Sequence, residues 1–241
     1  MSHVVAPHIA PQRRSRGRPQ VRSDEATRHL IAEAARGAFV ASGYSAANMD
    51  CVAKNAAVSK KTLYRLFPTK AELFRASVAD RIDSFILALD EERVAQLPPE
   101  GALVRILTEY GRLTLAEDTT ALQKLVLAES GRFPELAADF YRGAVIATQR
   151  VFVRCLERLC HEGAVEIDDL DETAGMIRGM MIFEPSRGAM YCQKALPGID
   201  EIENRAKRCA QLFLDGCRKD KVKSSSEHRA EVIGTSRPEP R

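Results

Sequence analysis

The 241-residue chain contains no tryptophan, and only 6% of it is aromatic. No apolar run approaches the roughly 20 residues needed to cross a bilayer, and Met1 to Gln12 has no apolar segment of the kind that marks a secretory signal. These absences predict a cytoplasmic protein without a membrane partner. The six cysteines, at positions 51, 155, 160, 192, 209 and 217, show neither zinc-type close pairing nor the density of a disulfide scaffold, so they read as small buried hydrophobes. The histidines form no helical pattern with each other or with carboxylates, which predicts no metal site. Cys160 and His161 are neighbours, but on a helix they point about 100° apart, which suits neither a shared metal nor a thiolate pair. There is no Gly-x-Ser-x-Gly, phosphate loop or dinucleotide fingerprint. Catalysis and a bound cofactor are therefore not expected.

The chain does have enough apolar content, 45%, to bury a substantial core. It also has an uneven charge distribution. Residues 1–75 hold 13 Lys and Arg against 5 Asp and Glu, whereas the remainder holds 23 against 28. A basic N-terminal part attracts phosphate through counterion release, and the acidic remainder would not bind DNA by itself.

The most informative stretch runs from Val58 to Phe74. Ser59 is a good N-cap, Lys60, Lys61 and Thr62 fill the first turn, and Leu63 and Leu66 give a short apolar edge. Cations in a first turn oppose the helix dipole unless an anion binds there. Pro68 disfavours helical geometry at Phe67, so this helix should be about two turns long. Thr69 to Glu72 then fits a capping box, placing Lys70 at a second N-terminus where a phosphate can sit. Upstream, Met49, Val52, Ala53 and Ala56 repeat at helical spacing. Before them, Ser23 can cap a helix with Leu30, Ile31, Ala34, Ala35 and Phe39 on one face and Gly43 at its C-terminal stop. Helix, tight turn and second helix is the order in which the second helix enters a major groove.

Ala34-Ala35, Phe39, Gly43-Tyr44, Met49, Ala53, Val58-Ser59, Thr62-Leu63-Tyr64, Phe67 and Lys70 together resemble the N-terminal domain of the TetR family of transcriptional regulators, over about residues 24–78. The sequence departs from the family pattern at Ala47-Asn48, where Asn48 can still cap the second helix, and at Ala57, which is uncomfortable if the turn needs a positive φ. The resemblance implies that Asn48, Ser59, Lys60, Lys61 and Thr62 lie at the DNA face, with Tyr64 and Lys70 holding phosphates. Taken singly, a Lys-Lys run also suits a solvated face and a tyrosine suits half-buried packing. Arg16 and Arg18 sit in an arm over residues 1–22 without apolar periodicity, which either lies in a minor groove or serves as a solubilising tail.

Beyond residue 78 the pattern is helical throughout. One helix from Thr69 should run to Leu97, and another from Pro99 to Ala116. Further helices are expected over 120–130, 133–163, 169–195 and 199–218, about nine in all, with a disordered tail over 219–241. A short stretch from Glu129 to Tyr141 also resembles the regulatory domain of many TetR-family members. In the helix from Asp169, Leu170, Ala174, Ile177 and Met181 form one stripe and Met176, Met180 and Phe183 another. In the last helix Ile202, Ala206, Cys209, Phe213 and Cys217 form a face widened by Leu212 and Leu214. The excess apolar surface is met either within the monomer or by a partner, and the resemblance implies a homodimer through the last two helices. Tyr110, Met176, Met180 and Phe183 either line a pocket for a small-molecule effector or are ordinary core.

The expected protein is all-α, a three-helix DNA-binding domain at 23–78 followed by a helical regulatory and dimerisation domain at 79–218. The resemblance implies a regulator of double-stranded DNA, a repressor released from a palindromic operator by an effector. Two other readings remain open: a redox sensor using Cys155, Cys160, Cys192, Cys209 or Cys217, and a DNA-packaging protein indifferent to sequence.

Overall fold

The computed structural model describes residues 22–217, so Arg16, Arg18, the N-terminal arm and the 219–241 tail lie outside the described residues. Among those residues every regular element is helical: α1 (Asp24–Ala46), α2 (Met49–Asn55), α3 (Lys60–Leu66), α4 (Lys70–Leu89), α5 (Glu91–Ala95), α6 (Pro99–Thr114), α7 (Glu117–Glu129), α8 (Pro134–Phe140), a π-helical segment (Tyr141–Ile146), α9 (Ala147–His161), α10 (Leu170–Met190) and α11 (Ile199–Cys217). The π segment joins α8 to α9 without a break, giving ten rods where the periodicity predicts nine. The extra one arises at Asp90, whose left-handed φ of 51° ends α4 and whose carboxylate then caps α5. Apolar spacing alone does not register that break, because Leu89 and Val94 are buried on either side of it.

Side-chain caps set most of the other starts. Ser23, Asn48, Ser59, Thr69 and Asp169 each accept a first-turn N–H of the following helix. At Thr69 the hydroxyl also donates to the Glu72 carboxylate at 3.2 Å. The seven-residue α3 stops at Phe67, as Pro68 requires.

Two apolar cores share α4. Phe39, Tyr44, Leu63 and Phe74 centre the first, in which the three aromatic rings of Phe39, Tyr44 and Phe74 pack with centroids 5.5–5.8 Å apart. Leu122 and Val126 of α7 and Leu136 of α8 complete that core. Ile82, Phe85 and Leu89 of α4 belong instead to the second, with Leu107, Phe152, Ile177 and Phe213. The helix leaving the first module is thus built into the next, and a boundary at residue 78 falls inside a continuous rod about 30 Å long.

Pro185 does not interrupt α10, which continues to Met190. Its ring removes the N–H that would bond the Met181 carbonyl and crowds that carbonyl. Arg205 of α11 supplies the missing donors: Nε lies 2.7 Å from the Met181 oxygen, and a terminal nitrogen lies 2.7 Å from the Met180 oxygen. Helix α10 ends five residues before the expected Ala195, in a turn with Cys192 at φ 55°.

Candidate nucleic-acid interface and ligand cavity

The α2–α3 connection ends α2 with a Schellman pair: the Val58 N–H donates to the Ala53 carbonyl at 3.0 Å and the Ala57 N–H to Lys54 at 3.1 Å. This geometry places Ala57 at φ 53°, the left-handed conformation that its side chain disfavours. The turn presents α3 with Leu63 and Leu66 buried and Lys60, Lys61 and Tyr64 exposed.

The exposed residues are not equivalent. Lys60 Nζ sits 2.5 Å from Asp50 Oδ2 of α2, and the hydrogen bond and charge of Asp50 raise its pKa. Asp50 also begins α2, its N–H donating to Asn48 Oδ1 at 2.8 Å. Lys61 has no hydrogen bond or ion pair to any described residue, and Tyr64 keeps 46% of its surface exposed. Ser59 Oγ accepts the Thr62 N–H at 3.0 Å and lies 2.8 Å from the Thr62 hydroxyl. Arg65 turns away to grip Asp24 of α1 through two 2.8 Å contacts, which hold the Asp24 carboxyl below its usual range.

Lys70 has a different place from the one its sequence position suggests. Its ammonium donates to the carbonyls of Ser45 (2.8 Å) and Ala47 (3.1 Å) and lies 5.2 Å from the Tyr44 ring centre. It braces the link between α1 and α2, leaving one of its three N–H bonds for an outside acceptor. Nothing in the linear sequence marks those two carbonyls.

Gly43 is required at the junction with the second module. Its φ of 79° with ψ 161° belongs almost only to glycine, and a Cβ there would stand 3.0 Å from Glu129 Oε1 of α7. The same carboxylate oxygen accepts the Tyr44 N–H at 3.0 Å, so the last residue of α7 satisfies a backbone donor in the helix-turn-helix module. Neither this latch nor Asp50 was singled out by sequence pattern, since both depend on contacts between helices.

A cavity of about 330 Å³ opens between α4, α6, α7, the π segment and α10. Val78 and Ile82, Tyr110, Leu122, Phe140 and Ile182 supply apolar walls. Of the four residues expected to line a pocket, Tyr110 does so. Met180 borders a separate groove between α10 and α11, and Met176 and Phe183 are 60% and 62% exposed on α10. The second α10 stripe therefore faces outward within this protomer, joined by Leu212 of α11 at 65% exposure, whereas Ala174, Ile177, Met181 and Leu214 are buried.

Three arginines reach the cavity wall. Arg36 of α1 is held by Asp118 (3.2 Å), Asp80 (3.4 Å) and the Ser77 carbonyl (3.3 Å). Arg81 of α4 contacts Asp118 at 3.2 Å. Arg178 of α10 donates to Gln149 Oε1 at 2.9 Å and Thr148 Oγ1 at 3.0 Å, and its guanidinium lies over the Tyr110 ring at 5.3 Å. The Thr148 hydroxyl contacts the π-segment carbonyls of Ala144 (2.8 Å) and Val145 (3.1 Å). Sequence pattern did not single out Arg178; the signal that marks it is that Ala174, Gly175, Met181 and Ile182, its helical neighbours, offer no charge to balance it. Among the described residues no cluster suited to a metal ion is present, and no helix is long and apolar enough to cross a membrane.

Comparison with known proteins agrees with this architecture. The family model described as "Bacterial regulatory proteins, tetR family" matches residues 31–77, and that of the "AefR-like transcriptional repressor, C-terminal domain" matches residues 101–216. The HTH-type transcriptional regulator YdeS of Bacillus subtilis is 26% identical over 174 residues, covering 70% of this chain and 81% of YdeS. Among solved structures, a TetR-family regulator from Mesorhizobium loti shares the fold with a TM-score of 0.69 at 23% identity, covering 81% of this chain and 98% of that one. The flavonoid-responsive regulator FrrA superposes with a TM-score of 0.61 at 28% identity, over 81% of this chain and 98% of its own. With a capped helix-turn-helix at one end and a cavity-bearing helical domain at the other, both matched in one chain, the protein belongs to the TetR family of DNA-binding transcriptional regulators.

Proposed function

We propose that the protein is a homodimeric repressor that reads a palindromic operator with α3 and leaves it when a small molecule occupies the cavity. The observation that carries this reading is the shared wall: Val78, Arg81 and Ile82 of α4 and Arg36 of α1 border the cavity, and the same two helices form the core against which α3 packs. A ligand that favours one placement of α4 shifts the population of DNA-competent dimers by its differential affinity for the two placements. FrrA is described as flavonoid-responsive, which supports an effector-controlled role.

Lys61, Thr62 and Tyr64 are the leading DNA contacts. Lys60 reaches DNA only by exchanging Asp50 for a phosphate or base edge, and Lys70 contributes its remaining donor. Asn48 and Ser59 present helix N-termini to phosphates. Met176, Phe183 and Leu212 form the apolar surface for a second copy, whose two-fold symmetry a palindromic site mirrors. The redox reading loses four of its five cysteines, because burial pushes the Cys155, Cys160, Cys209 and Cys217 thiols up, away from the reactive thiolate, and is left with the exposed Cys192.

Selection of bound fragments from random duplex DNA by the full-length protein at physiological salt tests the proposal, with Tyr64→Ala run alongside. A palindromic motif that is lost or sharply weakened in the variant is the expected result. Recovery of no enriched sequence identifies a packaging role instead.

A further inference from the structure

Arg178 stands apart from the other charged groups at the cavity. It is only 9% exposed, and its Nε has no hydrogen-bond partner. The oxygens it does contact, on Gln149 and Thr148, are neutral, and no described carboxylate pairs with it. Arg81 Nε also lacks a partner, but Arg36 and Arg81 share Asp118 and Asp80, so their charges are compensated. No Asp or Glu is among the described residues that line the cavity.

A guanidinium cannot shed its proton to escape burial as a lysine can, so it retains its charge inside an apolar chamber. The Tyr110 ring face offsets part of the cost, and neutral acceptors offset more, but the Nε–H is left without a partner. An anion entering there meets a cation that is already dehydrated and held by two side chains. The geometry points to an amphipathic organic anion as the effector, with an apolar body between Tyr110, Leu122, Phe140 and Ile182 and a single carboxylate-like head on Arg178. This assignment rests on the proposed effector-controlled role and names the chemical class of the effector.

The size of the chamber restricts the body. Its volume of about 330 Å³ lies at the small end of the range that small-molecule sites span. A ten-carbon straight-chain acid is therefore a fair probe, and its amide is a neutral control of nearly equal shape.

Calorimetric titration of the full-length protein at pH 7.5 should show decanoate binding at least about tenfold more tightly than decanamide. The ratio should persist at high salt, because a buried pair is screened little. Arg178→Gln should bind both compounds equally, while Arg178→Lys keeps a preference for the acid. Equal affinities in the wild type, a preference surviving in Arg178→Gln, or failure of the wild type to bind either compound overturns the assignment. The wild-type comparison stands even if a variant fails to fold. Operator selection on the same preparation separates the two levels: a palindromic motif without a preference for decanoate rejects the anionic effector alone, and no motif rejects the regulator reading beneath it.

Discussion

Arg65 and Arg178 show how differently the two halves of the molecule handle positive charge. Arg65 lies on the outside of the DNA-facing module, clasped by the equally exposed Asp24. Arg178 is buried beside a cavity with only neutral oxygens and a tyrosine ring for company. A surface that meets a polyanion gains most from cations that stay hydrated until counterions are released. A chamber that meets one small anion gains most from a cation whose dehydration has been completed during folding. The same residue type is therefore nearly indifferent to stability in one region and costly in the other.

Arg205→Ala should break this contrast most strongly. The variant removes three donor contacts from the Met180 and Met181 carbonyls, beside a proline that cannot replace them. Charged donors, one of them to the Met181 carbonyl that Pro185 leaves without a helical partner, suggest a loss of about 2–3 kcal/mol, seen as a drop of roughly 5–10 °C in melting temperature. Arg65→Ala should leave the melting temperature within a degree of the wild type. Equal shifts in the two variants would mean that the exposed pair contributes more than surface ion pairs normally do.

Lys61→Ala addresses the outer region alone. Lys61 is tied to no described partner, so its removal should not alter folding, yet it should reduce the slope of log affinity against log salt by about one on the selected operator. Lys60→Ala should reduce that slope less, because Asp50 already neutralises its charge in the free protein. Fluorescence anisotropy across a salt series measures both. A larger effect at Lys60 would show that DNA displaces Asp50 completely.

The outer region was also the more legible in sequence, for a physical reason. Caps, the Pro68 stop and the positive φ feared at Ala57 are local features, decided within four or five residues, and Ser59, Thr69 and Asn48 cap where the pattern places them. The cavity is assembled from residues far apart in the chain, Arg36 and Arg178 among them, and no local period records which helices will meet. Tyr110, expected either in a pocket or in the core, borders the cavity and packs in the core as well. Met176 and Phe183 were expected either in the pocket or in the core, and they lie in neither, because periodicity reports that a stripe is apolar without saying whether its partner is inside the chain.

Ala57→Gly gives the smallest effect, and its sign separates strain from function. Helix α9 closes with the same pair of bonds as α2, Ala164 N–H to Leu159 and Gly163 N–H to Cys160, but there the left-handed residue is glycine at φ 70°. At α2 the position is alanine, for which that conformation costs about 1–2 kcal/mol. Glycine removes the clash but gives the unfolded chain more freedom, which cancels roughly 0.5–1 kcal/mol of the gain. A net stabilisation of about 0.5–1 kcal/mol in chemical denaturation is expected, with operator affinity unchanged because the turn keeps its shape. If stability rises while affinity falls, the strained alanine holds α3 in its reading position, and the outer module too stores an unfavourable group for use at its ligand.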